Sequence, residues 1–417
     1  MAADAHGLSP ETQAITLGYS SSMAFGAVKP PAVMTTTFAY ASAQHAKDVH
    51  EAFFEGTGPA VGATDAYIYT RLGHPNLTMV ETRLAALDGA EASAVFCSGM
   101  AAISTTLLAF LRPGDTVLCS RPCYGGTDGY LTTILPEFGV STFGIIEGYK
   151  DANIRAAMEA AMAAGPLRLI HLESPANPTA AIVDIAAVTR IADELAPRQG
   201  FRPLVVVDNT FLGPLLQSPL ALGADLSMTS LTKYCGGHSD LMAGGVSGSA
   251  ALVAKLKALR TLSGNHLDPF SSWLLLRSFE TLGLRTDRAC GSARAVAEFL
   301  RAHPKVAAVT YLGFIEGEAR EVFDRQCRGT GSTFSFRLHG GEAEAFRLLD
   351  ALRVLRLAVS LGGSETLICN PATTTHYQVP RERREAGGIF DSTLRLSVGL
   401  EAPADLIADL AQALDAA

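Results

Sequence analysis

The sequence predicts an α/β protein: a mostly parallel β-sheet flanked by helices, followed by a smaller C-terminal α+β domain. Three observations predict it. Between about residues 94 and 229, short apolar β-rich runs alternate with helical stretches, the rhythm of βαβ units whose parallel strands are covered on both faces. Beyond about residue 284 the runs alternate apolar with polar residues, as half-buried strands do. The chain has 417 residues, 48% hydrophobic and 18% charged, which suits more than one buried core and does not suit a disordered chain.

Taken in order, residues 1–73 show little periodicity and read as an N-terminal arm that packs on other surfaces, with Glu55 to Gly62 as a flexible loop. A helix follows: Thr78 and Glu81 form a capping-box pattern, Val80, Leu84 and Leu87 share a face, and Gly89 stops it. Ala94–Cys97 reads as a strand before a helix over about Met100–Leu111. Thr116–Cys119, Val140–Ile145, Leu167–Leu172, Leu204–Val207 and Leu226–Thr229 read as buried strands, with helices over 151–164 and 184–195. Residues 74–284 thus form a large domain. In the remainder, 285–417, a helix carries Val296, Phe299 and Leu300 on one face and ends near Pro304. Phe334, Phe336 and Leu338, and likewise Leu394, Leu396 and Val398, alternate as half-buried strands.

The net charge of −8 argues against nucleic acid or an anionic membrane as the main partner. Met1 to Gln13 lacks the basic start and apolar run of a signal peptide, and the apolar segments are broken well short of a membrane span. A cytoplasmic location is therefore expected. The seven cysteines are odd in number and scattered, which reads as reduced thiols. Cys119 and Cys123 have no nearby histidine or second pair, so no metal site is expected.

The chemistry centres on Lys233. It sits in Ser230-Leu231-Thr232-Lys233, directly after a strand, and an earlier strand ends in Asp208-Asn209-Thr210. A lysine able to capture an aldehyde, an acid to keep a ring nitrogen protonated, and hydroxyls for a phosphate together fit pyridoxal phosphate. Ser98-Gly99-Met100 lies between a strand and a helix; it is either an ordinary βα turn or a phosphate-binding helix N-terminus. Tyr124, before Gly125-Gly126, could stack on a flat ring or be a plain rim tyrosine. Glu173 to Asn177 also closes a strand, where ligands of open sheets sit. Period two turns Arg395 away from the apolar face of its strand, either into solvent or onto a substrate carboxylate. Tyr69-Thr70-Arg71 reads equally as a phosphate clamp or a loop.

These stretches, in this order, resemble the Cys/Met-metabolism family of pyridoxal-phosphate enzymes, which includes cystathionine γ-synthase, cystathionine γ-lyase, methionine γ-lyase and the homoserine-ester sulfhydrylases. The resemblance runs from about Tyr69 to Glu401 through YTRLGHPN, CSGMAA, CYGGT, ESPANPT, VVVDNTF, SLTKYCGGHSD, AVSLGGSETL, NPATTTH and LRLSVGLE. It implies the fold of the fold-type I pyridoxal-phosphate-dependent transferases. It also implies roles: Lys233 holds the cofactor covalently, Asp208 pairs with its ring nitrogen, and Asn177 lies near its ring hydroxyl. Gly99, Met100, Ser230 and Thr232 bind its phosphate. Tyr69 and Arg71 reach the phosphate of a neighbouring subunit. Tyr124 stacks on the ring and assists proton transfer, and Arg395, with the backbone near Ser360, holds the substrate carboxylate. The implied assembly is a tetramer, a dimer of dimers that share active sites.

The chain departs from that pattern at His74-Pro75-Asn76, where Asn-Pro is usual, and at Asn370, where a histidine is frequent. Gly126 resembles synthases and cystathionine lyases, since methionine γ-lyases carry a cysteine there, and Tyr19 to Phe38 fits the family opening poorly. Glu365 resembles lyases and cystathionine synthases, where sulfhydrylases often have lysine. The expectation is a γ-lyase that cleaves the γ-substituent of a sulfur amino acid, of the methionine or cystathionine γ-lyase type, to 2-oxobutanoate and ammonia. A γ-replacing synthase, γ-elimination from an oxygen-linked substrate such as canavanine, and a non-catalytic cofactor-binding protein stay as alternatives.

Overall fold

A computed structural model describes residues 7–55 and 67–417. The expected loop lies outside these from Gly56 onward, and Glu55 ends a helix, Ala43–Glu55. That helix and a shorter one, Pro10–Thr16, are the helical order in a segment that reads as aperiodic. Ala43–Glu55 has no buried residue, so little in its own packing marks it.

The first sheet has seven strands in the order β1-β7-β6-β5-β4-β2-β3. They are β1 Ala92–Phe96, β2 Thr116–Ser120, β3 Ser141–Ile145, β4 Leu167–Glu173, β5 Leu204–Asp208, β6 Leu226–Thr229 and β7 Gly244–Gly248. Only β7 runs against its neighbours. It is also the strand that sequence patterning misses, because Gly244, Gly245 and Gly248 carry no side chain to signal a strand. The alternation of Val205, Val206 and Val207 divides the core by face. Val206, with Val117, Met228 and Val246, packs under Ile103 and Leu107 of the Gly99–Phe110 helix. Val205 and Val207 pack with Leu118, Ile170 and Leu172 under the Asp151–Ala164 and Ile185–Gln199 helices.

The second sheet has five strands, β8 Val306–Thr310, β9 Thr333–Leu338, β10 Arg356–Leu357, β11 Leu367–Cys369 and β12 Thr393–Ser397, ordered β10-β11-β12-β9-β8. It is antiparallel except for β10 against β11. Phe334, Phe336, Leu394 and Leu396 enter one core with Val296 and Leu300 of the Leu282–Ala302 helix. The half-buried expectation for these strands is corrected: every residue of β12 is buried, because its polar side faces the first sheet rather than water.

The Pro75–Asp88 helix corrects the expected capping box. It starts earlier, with Pro75 in its first turn and the His74 ring accepting from the Leu77 N–H at 3.2 Å. Thr78 is one turn inside and bonds back to the His74 carbonyl. Glu81 is not a cap but a buried anchor. Its carboxylate accepts from Arg260 and Lys257, each at 2.6 Å, and from the Val95 N–H at 3.1 Å, tying helix, strand β1 and the Ala250–Ser263 helix together. Burial pushes the Glu81 pKa upward, but Lys257 and Arg260 outweigh it and hold the carboxyl below its ordinary value. Glu81→Ala strands Arg260, which is 2% exposed, and is expected to cost about 3–5 kcal/mol, read as a lower urea midpoint. Because the folded pKa is depressed, this contribution is complete above the ordinary glutamate range and is lost as pH falls below it. Wild type and variant should therefore converge in acid.

Candidate active site

The carboxyl ends of the central parallel strands open onto one cavity of about 740 Å³. Lys233 and Asp208 both line it. So do Gly99, Met100, Tyr124, Asn177, Ser230, Thr232, Ser360 and Arg395, residues brought together from helix, strand and loop segments far apart in the chain. Tyr69 and Arg71 do not line it. Tyr69 bridges to Thr37 and is 42% exposed, and Arg71 donates to the Thr261 carbonyl at 2.9 Å.

Lys233 Nζ donates to Ser360 Oγ at 2.9 Å. Burial, then repulsion from Arg395, lowers the Lys233 pKa to about 8, so a usable fraction is the neutral amine near neutral pH. Ser360 has φ of 103°, a conformation that strains a residue with a side chain. In it, the hydroxyl meets Lys233 while the carbonyl accepts from Arg395 Nη2 at 2.6 Å. Arg395 Nη1 donates to Asn177 Oδ1 at 3.1 Å, and among the described residues its buried Nε–H has no acceptor. The arginine is 2% exposed, so the solvated reading is excluded. A buried guanidinium with an unspent donor suits an incoming carboxylate.

Asp208 ends β5 directly beside Glu173, which ends β4. Both are buried, and among the described residues neither has a salt-bridge partner. Burial raises the Asp208 pKa; burial first, then Asp208 and Cys123, raises that of Glu173. The two acids therefore lack a cation, and a protonated ring nitrogen would supply one. At the other end of the cavity, Ser98 caps the Gly99–Phe110 helix by accepting from Ala101 N–H at 3.1 Å, and the first amides of that helix have no intrahelical acceptor. A Cβ at Gly99 would lie 2.9 Å from Ser230 Oγ, so glycine keeps open a cradle between helix end and hydroxyl that fits a phosphate. The residues present thus fit pyridoxal phosphate at both ends. Thr232 lines the cavity, but its hydroxyl both donates to the Ala243 carbonyl and accepts from the Ala243 N–H.

Two residues of this site were not singled out for a role from sequence. Glu173 accepts from the Tyr124 N–H at 2.5 Å and the Asn177 N–H at 2.7 Å, so one carboxyl positions two lining residues. Thr210 donates its N–H to Asp208 and accepts from the Ser230 N–H at 2.7 Å. The available signal was a polar residue at or just past a strand end, in ESPANPT and VVVDNTF. The departures at His74 and Asn370 are local supports: His74 is fully buried and bonds the Leu267 carbonyl, and Asn370 shapes the turn through Ala372 and Thr373.

In the cofactor-free chain, the rate at which an amine-selective reagent modifies Lys233 should rise with pH around a midpoint near 8. Arg395→Gln removes a repelling cation and should move that midpoint upward. An unmoved midpoint would refute the coupling.

Residues 11–415 match the family of Cys/Met metabolism PLP-dependent enzymes. The chain is 40% identical to an L-methionine gamma-lyase of Pseudomonas deceptionensis over 97% of each chain. It is 38% identical to a cystathionine gamma-lyase of Mus musculus, over 85% of this chain and 87% of that one. The solved cystathionine gamma synthase of Xanthomonas oryzae pv. oryzae, in complex with aminoacrylate and cysteine, superposes with a TM-score of 0.87 at 34% identity, covering 98% of both chains. With its lysine, acids and phosphate cradle in place, the chain belongs to the Cys/Met metabolism PLP-dependent enzymes, and pyridoxal 5′-phosphate is its cofactor.

Proposed function

We propose that the protein is a γ-lyase that removes the γ-substituent of a sulfur amino acid, of the methionine or cystathionine γ-lyase type, to give 2-oxobutanoate and ammonia. The observation that carries this is the pairing of a buried carboxylate clamp, Arg395, with a lysine of lowered pKa on the same serine, Ser360. The several relatives named L-methionine gamma-lyase support it. When bound, pyridoxal 5′-phosphate supplies the electron sink that makes bonds at the α-carbon labile. Lys233 would hold it and then take the α-proton on Nζ; loss of a second proton from the β-carbon expels the γ-substituent with its bonding electron pair. Arg395 fixes the α-carboxylate, so the Cα–H bond is aimed at that amine. Asp208 would keep the ring nitrogen protonated, Asn177 would serve the ring hydroxyl, and Gly99, Met100, Ser230 and Thr232 would hold the phosphate. Tyr124, 38% exposed at the rim, would stack on the ring and serve the leaving group.

A second reading, a γ-replacing synthase, is favoured by one contact. A Cβ at Gly126 would come within 2.6 Å of the Tyr124 ring and 3.1 Å of Met100 Sδ. Glycine therefore lets the ring lie back over its own turn and leaves room for a second substrate. We further propose a cytoplasmic homotetramer in which residues 1–73 form an arm, 74–284 the cofactor domain and 285–417 the small domain. Tyr69 and Arg71 would serve the neighbouring copy's phosphate. Their exposure and their distance from this chain's cavity lining support this, and no helix among the described residues is long and apolar enough to cross a membrane.

A product screen on the cofactor-loaded enzyme decides between the two readings. Methionine, cystathionine, homocysteine and canavanine are offered alone, and acetyl- or succinyl-homoserine with and without cysteine or sulfide. Release of 2-oxobutanoate from one sulfur amino acid supports the lyase. Turnover only with an activated homoserine plus a thiol makes the enzyme a synthase, and homoserine from canavanine marks an oxygen-linked substrate. Separately, Arg71→Ala should weaken cofactor retention by about tenfold, the scale of one lost charge-assisted contact, measured by dialysis. Unchanged retention would refute the shared-site assembly.

A further inference from the structure

A second cavity, of about 470 Å³, lies on the far side of Glu173 from Lys233, and Glu173 lines both. Its walls are apolar: Ile146, Ala181, Ile182, Val183, Ile315 and Ile389. Its cationic groups come from the Arg381–Ala386 helix and the Ser120–Cys123 segment, and Glu173, whose proton affinity burial raises well above the ordinary value, is the acid on its inner wall. There, Arg121 and Arg383 share the single carboxylate of Asp128, which leaves the cluster net cationic. Arg384 gives one N–H to Asp391, yet among the described residues its buried Nε–H has no acceptor and the buried Thr179 hydroxyl on the same lining has no partner. Burial, then Arg395, pushes His376 down to about 4, so it adds no charge, and Glu147 at the rim is neutralised by Lys150.

We propose that this cavity binds a carboxylate with an unbranched apolar tail, its head on Arg121, Arg383, Arg384 and Thr179 and its chain along the isoleucine and valine wall. The volume falls within the usual range for small-molecule sites, and unspent buried donors beside an excess of guanidinium groups select an anion. The occupant would sit against Glu173 and against the Arg121–Cys123 backbone that runs directly into Tyr124, so the site adjoins the reaction without overlapping its substrate clamp.

Octanoate is the probe, titrated calorimetrically into the cofactor-loaded enzyme. One saturable site per chain is expected, with octanamide weaker by about tenfold or more because it lacks the charge. Ile182→Trp, which fills the cavity, should weaken octanoate by about tenfold or more, while Arg395→Gln should leave it within about twofold. If Ile182→Trp fails to fold, Ala319→Leu on the facing wall makes the same test. The proposal is overturned by no heat of binding, by octanamide binding as tightly, by indifference to filling the cavity, or by loss of binding in Arg395→Gln. That last result would put the acid at the substrate clamp. None of these readouts depends on which reaction the enzyme performs.

Discussion

The burial of one arginine organises the site. Arg395 sits on a central strand of the second sheet and spends its guanidinium on Asn177, from the end of a first-sheet strand, and on the carbonyl of Ser360. Taking a guanidinium out of water costs several kcal/mol unless hydrogen bonds replace the lost hydration. That cost is met only when the two sheets stand in one relation to each other. The same charge lowers the lysine pKa. Architecture and reactivity therefore share a cause: the guanidinium proposed to bind the substrate carboxylate also keeps the Lys233 amine partly neutral.

At the opposite end of the cavity the logic is reversed. Asp208 and Glu173 end adjacent parallel strands, and register brings them side by side. Burial raises the proton affinity of both carboxyls, and the Asp208 charge raises that of Glu173 further. The protein tolerates this because backbone amides of Thr210, Tyr124 and Asn177 point at them. A cationic ring bound there, as proposed, would remove the frustration and make cofactor binding a source of stability as well as of chemistry. Glu173 also forms the wall shared with the second cavity, so what happens behind it bears on Tyr124 and Asn177 in front.

Much of this was legible in the residues because much of it is local. Strand ends followed by polar clusters, Ser98-Gly99-Met100 before a helix, and the βαβ rhythm each follow from short-range backbone and side-chain preferences. The lysine, the acid and the phosphate cradle were therefore visible as separate pieces. Strand β7 was not, since a glycine-rich strand is specified by its two neighbours rather than by its own side chains. The start of the Pro75–Asp88 helix was misplaced because a buried histidine can cap through its ring when tertiary contacts hold the other nitrogen, here on the Leu267 carbonyl.

The sequence by itself determined the fold class, the cofactor chemistry and several of the polar residues that line the cavity, Lys233 and Asp208 among them, since these depend on periodicity and on motifs within a few residues. Only the tertiary structure decided that Arg395 is buried rather than solvated, that Glu81 anchors three elements rather than capping one, and that Glu173 holds Tyr124 and Asn177 together. Each of these includes a bond between residues dozens to hundreds of positions apart. Whether a charged side chain meets water or a partner is settled by what the rest of the chain brings to it, and no local pattern encodes that.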